Sequence, residues 1–177
     1  MPRLTLLLFA LLPLALGGCF ISSEPLITPA SADHPWADSR AQEFHFDDGK
    51  WKSKGYVTLR RSGPYYVLRD EESRDVTRFL VHQIGDDRYV AQSQDASGVG
   101  NASYSYSLLI VDGQKITTYS FDQASKRCRV PGVDVAALKL RPHEDDCGVD
   151  SIAALIQVFQ ALERSQPKPE TLYVIQP

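Results

Sequence analysis

The hydrophobic and polar positions divide the chain into four unlike stretches. Leu4 to Leu16 is a run of Leu, Phe, Ala and Pro with a single Thr. Ile21 to Arg40 holds Pro25, Pro29 and Pro35 with several Ser and Ala and shows no period, which reads as a linker, although Trp36 and the Leu26-Ile27 pair are apolar enough to dock on a folded body. From Glu43 to Phe121 short β-rich runs alternate with turn residues. The remainder is irregular until Ile152, Leu155, Ile156, Phe159 and Leu162 recur at helical spacing.

In the β region, Glu43–Asp47 and Trp51–Lys54 flank Asp48-Gly49, a strong hairpin dipeptide. Gly55–Arg61 alternates, Ser62-Gly63-Pro64 turns, and Tyr65–Arg69 follows. A charged connection, Asp70 to Asp75, leads to Val76–Ile84 and Arg88–Gln94, which are separated by Gly85-Asp86-Asp87. Asp95 to Ser103 contains Gly98, Gly100 and Asn101 and reads as a longer loop. Tyr104–Val111 and Lys115–Phe121 flank Asp112-Gly113, a second hairpin turn. One face is expected to carry Val57, Leu59, Phe79, Val81, Tyr104, Tyr106, Leu108 and Ile110. The other, rich in Arg, Thr, Ser and Gln, is expected to be wet.

Toward the C-terminus, Ala137–Leu140 has the pattern of a short strand. A helix is expected over about 151–165, capped by Asp150 or Ser151 and stopped by Pro167 and Pro169. A final strand is expected over about 171–175, where it can close an edge. The fold class is therefore α+β and mostly β: an antiparallel meander of about seven or eight strands, one helix and a last strand. The sheet is expected to curl around the helix as an open sheet, with an up-and-down barrel as the alternative.

The first stretch sets the compartment. Arg3 is the only charge ahead of the apolar run, and the run is too short to span a bilayer, which needs about 20 apolar residues. A basic start, an apolar segment of about a dozen residues and then small residues is secretory signal architecture. Leu16-Gly17-Gly18-Cys19 comes next. This resembles the lipobox of bacterial lipoproteins, over residues 1–19 alone. The resemblance implies cleavage before Cys19, a diacylglycerol thioether on its sulfur and acylation of the new amino terminus. It also implies a membrane-anchored protein of the bacterial cell envelope. Phe20, where an aspartate favours inner-membrane retention in enteric lipoproteins, points to the outer membrane facing the periplasm. The chain then divides into a signal peptide at 1–18, a lipidated N-terminus and linker at 19–40, and one β-rich domain at 41–177.

Loss of the first 18 of 177 residues leaves 159, enough for one domain with its own core. It also removes Arg3, so 18 basic residues face 22 acidic ones. Mild acidity argues against nucleic acid as a partner and against electrostatic attraction to anionic lipid. With Cys19 acylated, Cys128 and Cys147 remain as an even pair in an oxidising compartment and are expected to form a disulfide.

The residues give no catalytic or metal assignment. His143-Glu144-Asp145-Asp146 is the densest set of candidate ligands, but four consecutive residues do not converge on one ion without a special loop. Asp70-Glu71-Glu72 reads as a solvated turn. His45 and His82 have no neighbouring nucleophile or orienting acid in sequence, and no Gly-x-Ser-x-Gly elbow occurs. No cofactor is expected. Seven tyrosines fall on expected strands, and Tyr104 and Tyr106 share a face, so these two with Gly98 and Gly100 are the candidate binding surface. The functional expectation is a non-enzymatic envelope lipoprotein that binds a protein partner or envelope component, with an inhibitor or immunity module as a narrower form. The alternative is a carrier of a small apolar ligand inside a barrel. Replacing Cys19 by Ala is expected to abolish fatty-acid labelling and release the protein from membranes; a variant that stays membrane-bound contradicts the anchor.

Overall fold

The computed structural model describes residues 20–95, 103–119, 128–143 and 146–176. Its twelve elements are β1 (Phe20–Ser22), β2 (Ser39–Asp47), β3 (Lys50–Ser62), β4 (Tyr65–Asp70), β5 (Val76–Gly85), β6 (Arg88–Asp95), β7 (Ser103–Asp112), β8 (Lys115–Tyr119), β9 (Arg141–His143), β10 (Asp146–Gly148), α1 (Ile152–Arg164) and β11 (Pro169–Ile175). The meander closes: β2 to β8 pair in sequence order, β6 pairs β7, and β11 inserts antiparallel between β8 and β2. The result is an eight-stranded antiparallel up-and-down barrel, the second of the two architectures expected. The last strand joins two walls that would otherwise be edges.

All interior positions follow one parity per strand. Val57, Leu59, Tyr66, Leu68, Phe79, Val81, Tyr89, Ala91, Leu109 and Ile116 point inward, and most form one buried cluster. The expected common face is therefore split. Tyr104, Tyr106, Leu108 and Ile110 lie on the outer face of β7, in a second core with Leu80, Val90 and the helix. Ser105, Ser107, Leu109 and Val111 face inward on the same strand. The polar face expected to be wet is thus, on β7, part of the barrel lumen, because α1 covers the outside.

The helix starts at the Ser151 cap, whose Oγ accepts from the Ala154 N–H at 3.2 Å. It buries Ala154, Leu155, Val158, Phe159, Ala161 and Leu162, its apolar stripe. Near its far end Glu163 accepts from Arg88 Nε of β6 at 2.7 and 2.9 Å, fixing the helix to the wall. Cys128 and Cys147 form the expected disulfide across 19 residues and sit in this outer core.

Three local features differ from the sequence pattern. Trp51–Lys54 and Gly55–Arg61 are one strand, β3, with a register shift where Glu43 faces Gly55 and Phe44 faces Ser53. Lys54 is the extra residue of this bulge, and Gly55 takes φ +142, a conformation an L side chain rarely adopts. Ala137–Leu140 is a turn, because Asp134 Oδ1 accepts from the N–H groups of Ala136 and Ala137, and the backbone closes on itself from Asp134 to Leu140. The short pieces β1, β9 and β10, absent from the expectation, add a flap to the edge of β7 above the point where β8 ends.

The largest difference is the segment expected to be a linker. Residues 20–38 run as a strap over the barrel. Phe20 is fully buried and meets Phe159 edge to face at 5.7 Å. Gln92 of β6 bonds both backbone groups of Ile27, at 2.7 and 2.9 Å. Asp33 donates its N–H to Val81 O and accepts from the Gln83 N–H, occupying the edge of β5 that β4 leaves unpaired. Trp36 then enters the lower end of the barrel. Its N–H donates to the Tyr66 hydroxyl at 2.9 Å, its carbonyl accepts from that hydroxyl at 2.8 Å, and its ring packs on Tyr66 and Tyr89. Beyond β1 the segment, proline-rich and aperiodic, is held mainly by side-chain bonding rather than by a regular element.

Trp36→Ala should cost about 2–3 kcal/mol, since it removes the ring that packs on Tyr66 and Tyr89 and empties part of an aromatic core, while the backbone groups that bond the Tyr66 hydroxyl remain. Thermal unfolding is expected to shift down by several degrees, whereas exposed Trp51→Ala should change stability by less than about 0.5 kcal/mol. Unfolding a Cys128→Ser/Cys147→Ser variant should show a loss of about 3 kcal/mol in the chain-entropy description of a loop of this length.

Candidate functional site: the upper mouth of the barrel

The lumen is graded from end to end. Around Trp36 it is apolar, with Ala41, Leu59, Phe79, Leu109, Ile116 and Ile175 around a cavity of about 50 Å³. Toward the other end, small hydroxyl residues and carboxyls take over. Ser93 and Ser105 hydrogen-bond to each other at 2.8 Å across β6 and β7, and Ser107, Thr118 and Thr171 are buried nearby in the wall. A second cavity, of about 60 Å³, opens at this upper end between Glu43, His45, Asp70, Asp75, Thr77, Glu170 and Tyr173. Leu68, Thr118 and Tyr173 line both cavities and form the layer between them.

Glu43 is the buried carboxylate of this mouth, 3 % exposed. The β3 bulge lets Lys54 reach it at 3.5 Å, and His45, two residues along the same face of β2, meets it at 2.7 Å through Nε2. A carboxylate taken from water needs such partners. Burial, followed by the negative charges of Glu43, Glu170 and Asp70, pushes the Tyr173 hydroxyl far above its usual range, so it stays protonated and can only donate or accept a hydrogen bond. Burial pushes the Asp70 carboxyl up, but the N–H groups of Ser73 and Glu72, each at 2.8 Å, outweigh it and hold the group below the ordinary carboxylate range. Glu71 points away and accepts two hydrogen bonds from Arg40 at 2.8 and 2.9 Å, which lowers its pKa. The Asp70–Glu72 run is thus a turn with assigned bonding at the rim of the mouth.

Beyond the rim stands the β2–β3 hairpin. β2 pairs β11 from Ala41 to His45, and β3 pairs β4 only from Val57 on, so the stretch from Phe46 to Ser53 projects past both neighbours. Phe46 and Trp51 pair on its outer face with ring centroids 5.1 Å apart, and Trp51 is 37 % exposed. Lys50 and Lys52 occupy the other face beside Asp47.

The residues singled out in the sequence are scattered. Cys19, Gly98 and Gly100 lie outside the described residues, as do Glu144 and Asp145. Tyr106 is fully buried: its hydroxyl meets Ser22 Oγ at 2.7 Å, accepts from the Leu26 N–H at 3.1 Å and donates to Gln92 Oε1 at 3.2 Å. It ties the strap to the wall and presents nothing to a partner; Tyr104 is half-buried beside it. The two share a face as expected, but at Tyr106 that face is covered and offers no binding surface. The backbone of His143 is in register with Asp146 across β9 and β10. Among the described residues no group of three or more His, Cys, Asp or Glu could hold a metal ion, and no serine, threonine or cysteine side chain hydrogen-bonds to a histidine. No helix among them is long and apolar enough to cross a membrane. Sequence reasoning missed Glu43, Lys54 and Tyr173; Gly55 directly after Lys54 was the available sign of a bulge that re-aims a side chain.

Comparison with protein-family models, with curated proteins and with solved structures finds no match.

Asp70→Ala should destabilise by about 1–2 kcal/mol at neutral pH by leaving two backbone donors unpaired. The folded-state pKa of Asp70 lies below its unfolded value, so its contribution is present above the unfolded pKa and lost as pH falls through the folded one. Denaturant titrations of both proteins should therefore converge in acid; a difference that persists there would contradict the assigned bonding.

Proposed function

We propose that this protein is an acyl-anchored lipoprotein of the bacterial envelope, held at the outer membrane and facing the periplasm, whose barrel is a non-enzymatic binding module for a protein partner or envelope component. The supporting observation is the contrast between a filled lumen and a projecting hairpin. Drug-sized ligands occupy pockets of about 300–1,000 Å³. The two cavities here are about 50 and 60 Å³, room for a few heavy atoms. The carrier alternative, though compatible with a barrel, would need the Trp36 plug or the Tyr173 layer to move. Surface recognition needs no such change. The Phe46–Trp51 pair supplies an aromatic anchor beside lysines and carboxylates, the composition of an interface centre with a polar rim. An inhibitor or immunity module is the narrower form of the same reading, in which a rigid hairpin enters the cleft of an envelope enzyme.

Affinity capture of the lipidated protein from crosslinked envelopes is expected to return one partner in near-equal amount. Phe46→Ala/Trp51→Ala, which spares both cores, should weaken that complex by roughly 30-fold or more, the scale of about 2 kcal/mol for an aromatic hot spot. Absence of a stoichiometric partner, together with a co-purifying apolar ligand seen by native mass spectrometry, would favour the carrier instead.

A further inference from the structure

We infer that the barrel rests directly on the lipid surface, with the flap of β1, β10 and β9 and the adjoining corner at Ser22–Pro25 as its membrane-facing side. The inference rests on the acyl anchor proposed for Cys19 and concerns the segment that leads from it into the barrel. A free segment over residues 20–40 would let the domain wander about 25 Å from its anchor on average, and about 65 Å at full extension. Such a module could serve partners well away from the membrane.

No such freedom exists here. Phe20, the residue next to Cys19, is fully buried and paired on both sides, with Tyr106 of β7 and Cys147 of β10. Ile21 is paired with Ser105 and Gly148, and its carbonyl accepts from the Val149 N–H at 2.9 Å. Ser22 and Leu26 are fixed by the Tyr106 hydroxyl. One peptide bond therefore separates the acylated residue from rigid structure. Adjacent Cα atoms stand about 3.8 Å apart, and the thioether adds a few bonds, so Phe20 lies within about 10 Å of the glycerol level. A body anchored so closely cannot turn its β1 side away from the bilayer.

The charges of this side identify the lipid contact as anchor-driven. Glu24 and Arg141 are exposed, Arg141 is paired with Asp150 at 2.6 Å, and Asp146 adds a further acidic group in β10. Among the described residues this side is no basic patch, so the contact is expected not to depend on anionic lipid. The hairpin with Phe46 and Trp51 belongs to β2 and β3, and β3 lies across the barrel from β7. The membrane and the proposed partner thus take opposite walls, and the partner has to approach within one barrel diameter of the bilayer.

Photocrosslinking of the full-length lipidated protein in vesicles of phosphatidylcholine alone tests this. Benzophenone amino acids at Glu24 and at Arg141 should label phospholipid, and the same probe at Arg60, on β3, should not. Inserting twenty Gly/Ser residues between Cys19 and Phe20 should bring the near-side labelling down to the level at Arg60, with fatty-acid labelling of Cys19 and thermal stability unchanged. Equal labelling at near and far sites in the native protein, with Cys19 acylated, overturns the docked orientation alone. Absence of fatty acid on Cys19 overturns the anchor and the orientation together.

Discussion

The arrangement depends on one buried polar junction, where the hydroxyl of Tyr106 and the amide of Gln92 meet the strap. Tyr106 bonds Ser22 and the Leu26 N–H, and Gln92 bonds both backbone groups of Ile27. Both residues are nearly inaccessible to water. Without the strap Tyr106 and Gln92 would keep only their bond to each other, and without them the strap would lose the bonds that hold it along β6 and β7. The junction fixes β1 on the flap and starts the strap on the course that ends with Trp36 in the lumen. It thereby decides that the barrel is plugged at one end and that the chain reaches rigid structure at Phe20.

The graded lumen arises from the same division of labour. Aromatic rings fill the plugged end, where Tyr66 stacks on Phe79 at 5.7 Å and carries Trp36 on its hydroxyl. The open end holds Ser, Thr and carboxyl groups around the upper cavity. In the proposed binding role, a barrel built this way serves as a support. It supports the β2–β3 hairpin, lengthened by the bulge at Lys54-Gly55 and anchored below by β4 and β11.

Much of the barrel was legible in the sequence because its turns carry their own chemistry. Asp48-Gly49 and Asp112-Gly113 join strands where expected, and Ser151 and Pro167 bound the helix. Parity along each strand was legible too, but parity cannot say which side of a closed sheet is inside. On β7 both sides are buried, one by the opposite walls and one by α1, so Tyr106 and Val57 looked alike in the sequence and occupy different cores. Closure was less visible, since it requires β11 to find β2 from the far end of the chain. The strap was legible only as docking points at Leu26-Ile27 and Trp36; its course was not, because its bonds come from distant side chains, Gln92, Tyr106 and Tyr66, and impose no period on residues 23–38. Of the candidate residues, the disulfide was readable from the cysteine count and the expected compartment. The Glu43–His45–Lys54 group was not, because a bulge brings it together.

Amide hydrogen exchange of the intact protein measures the folded strap most directly. The N–H groups of Ile27, Asp33 and Trp36 are each bonded to the barrel. They are predicted to exchange slowly, with protection approaching that of Val90 and Leu108 in the barrel wall. Exchange at the rate of an unstructured chain, with the wall still protected, would show that the strap is a free tether and would contradict the account of both the plugged barrel and its seat on the membrane.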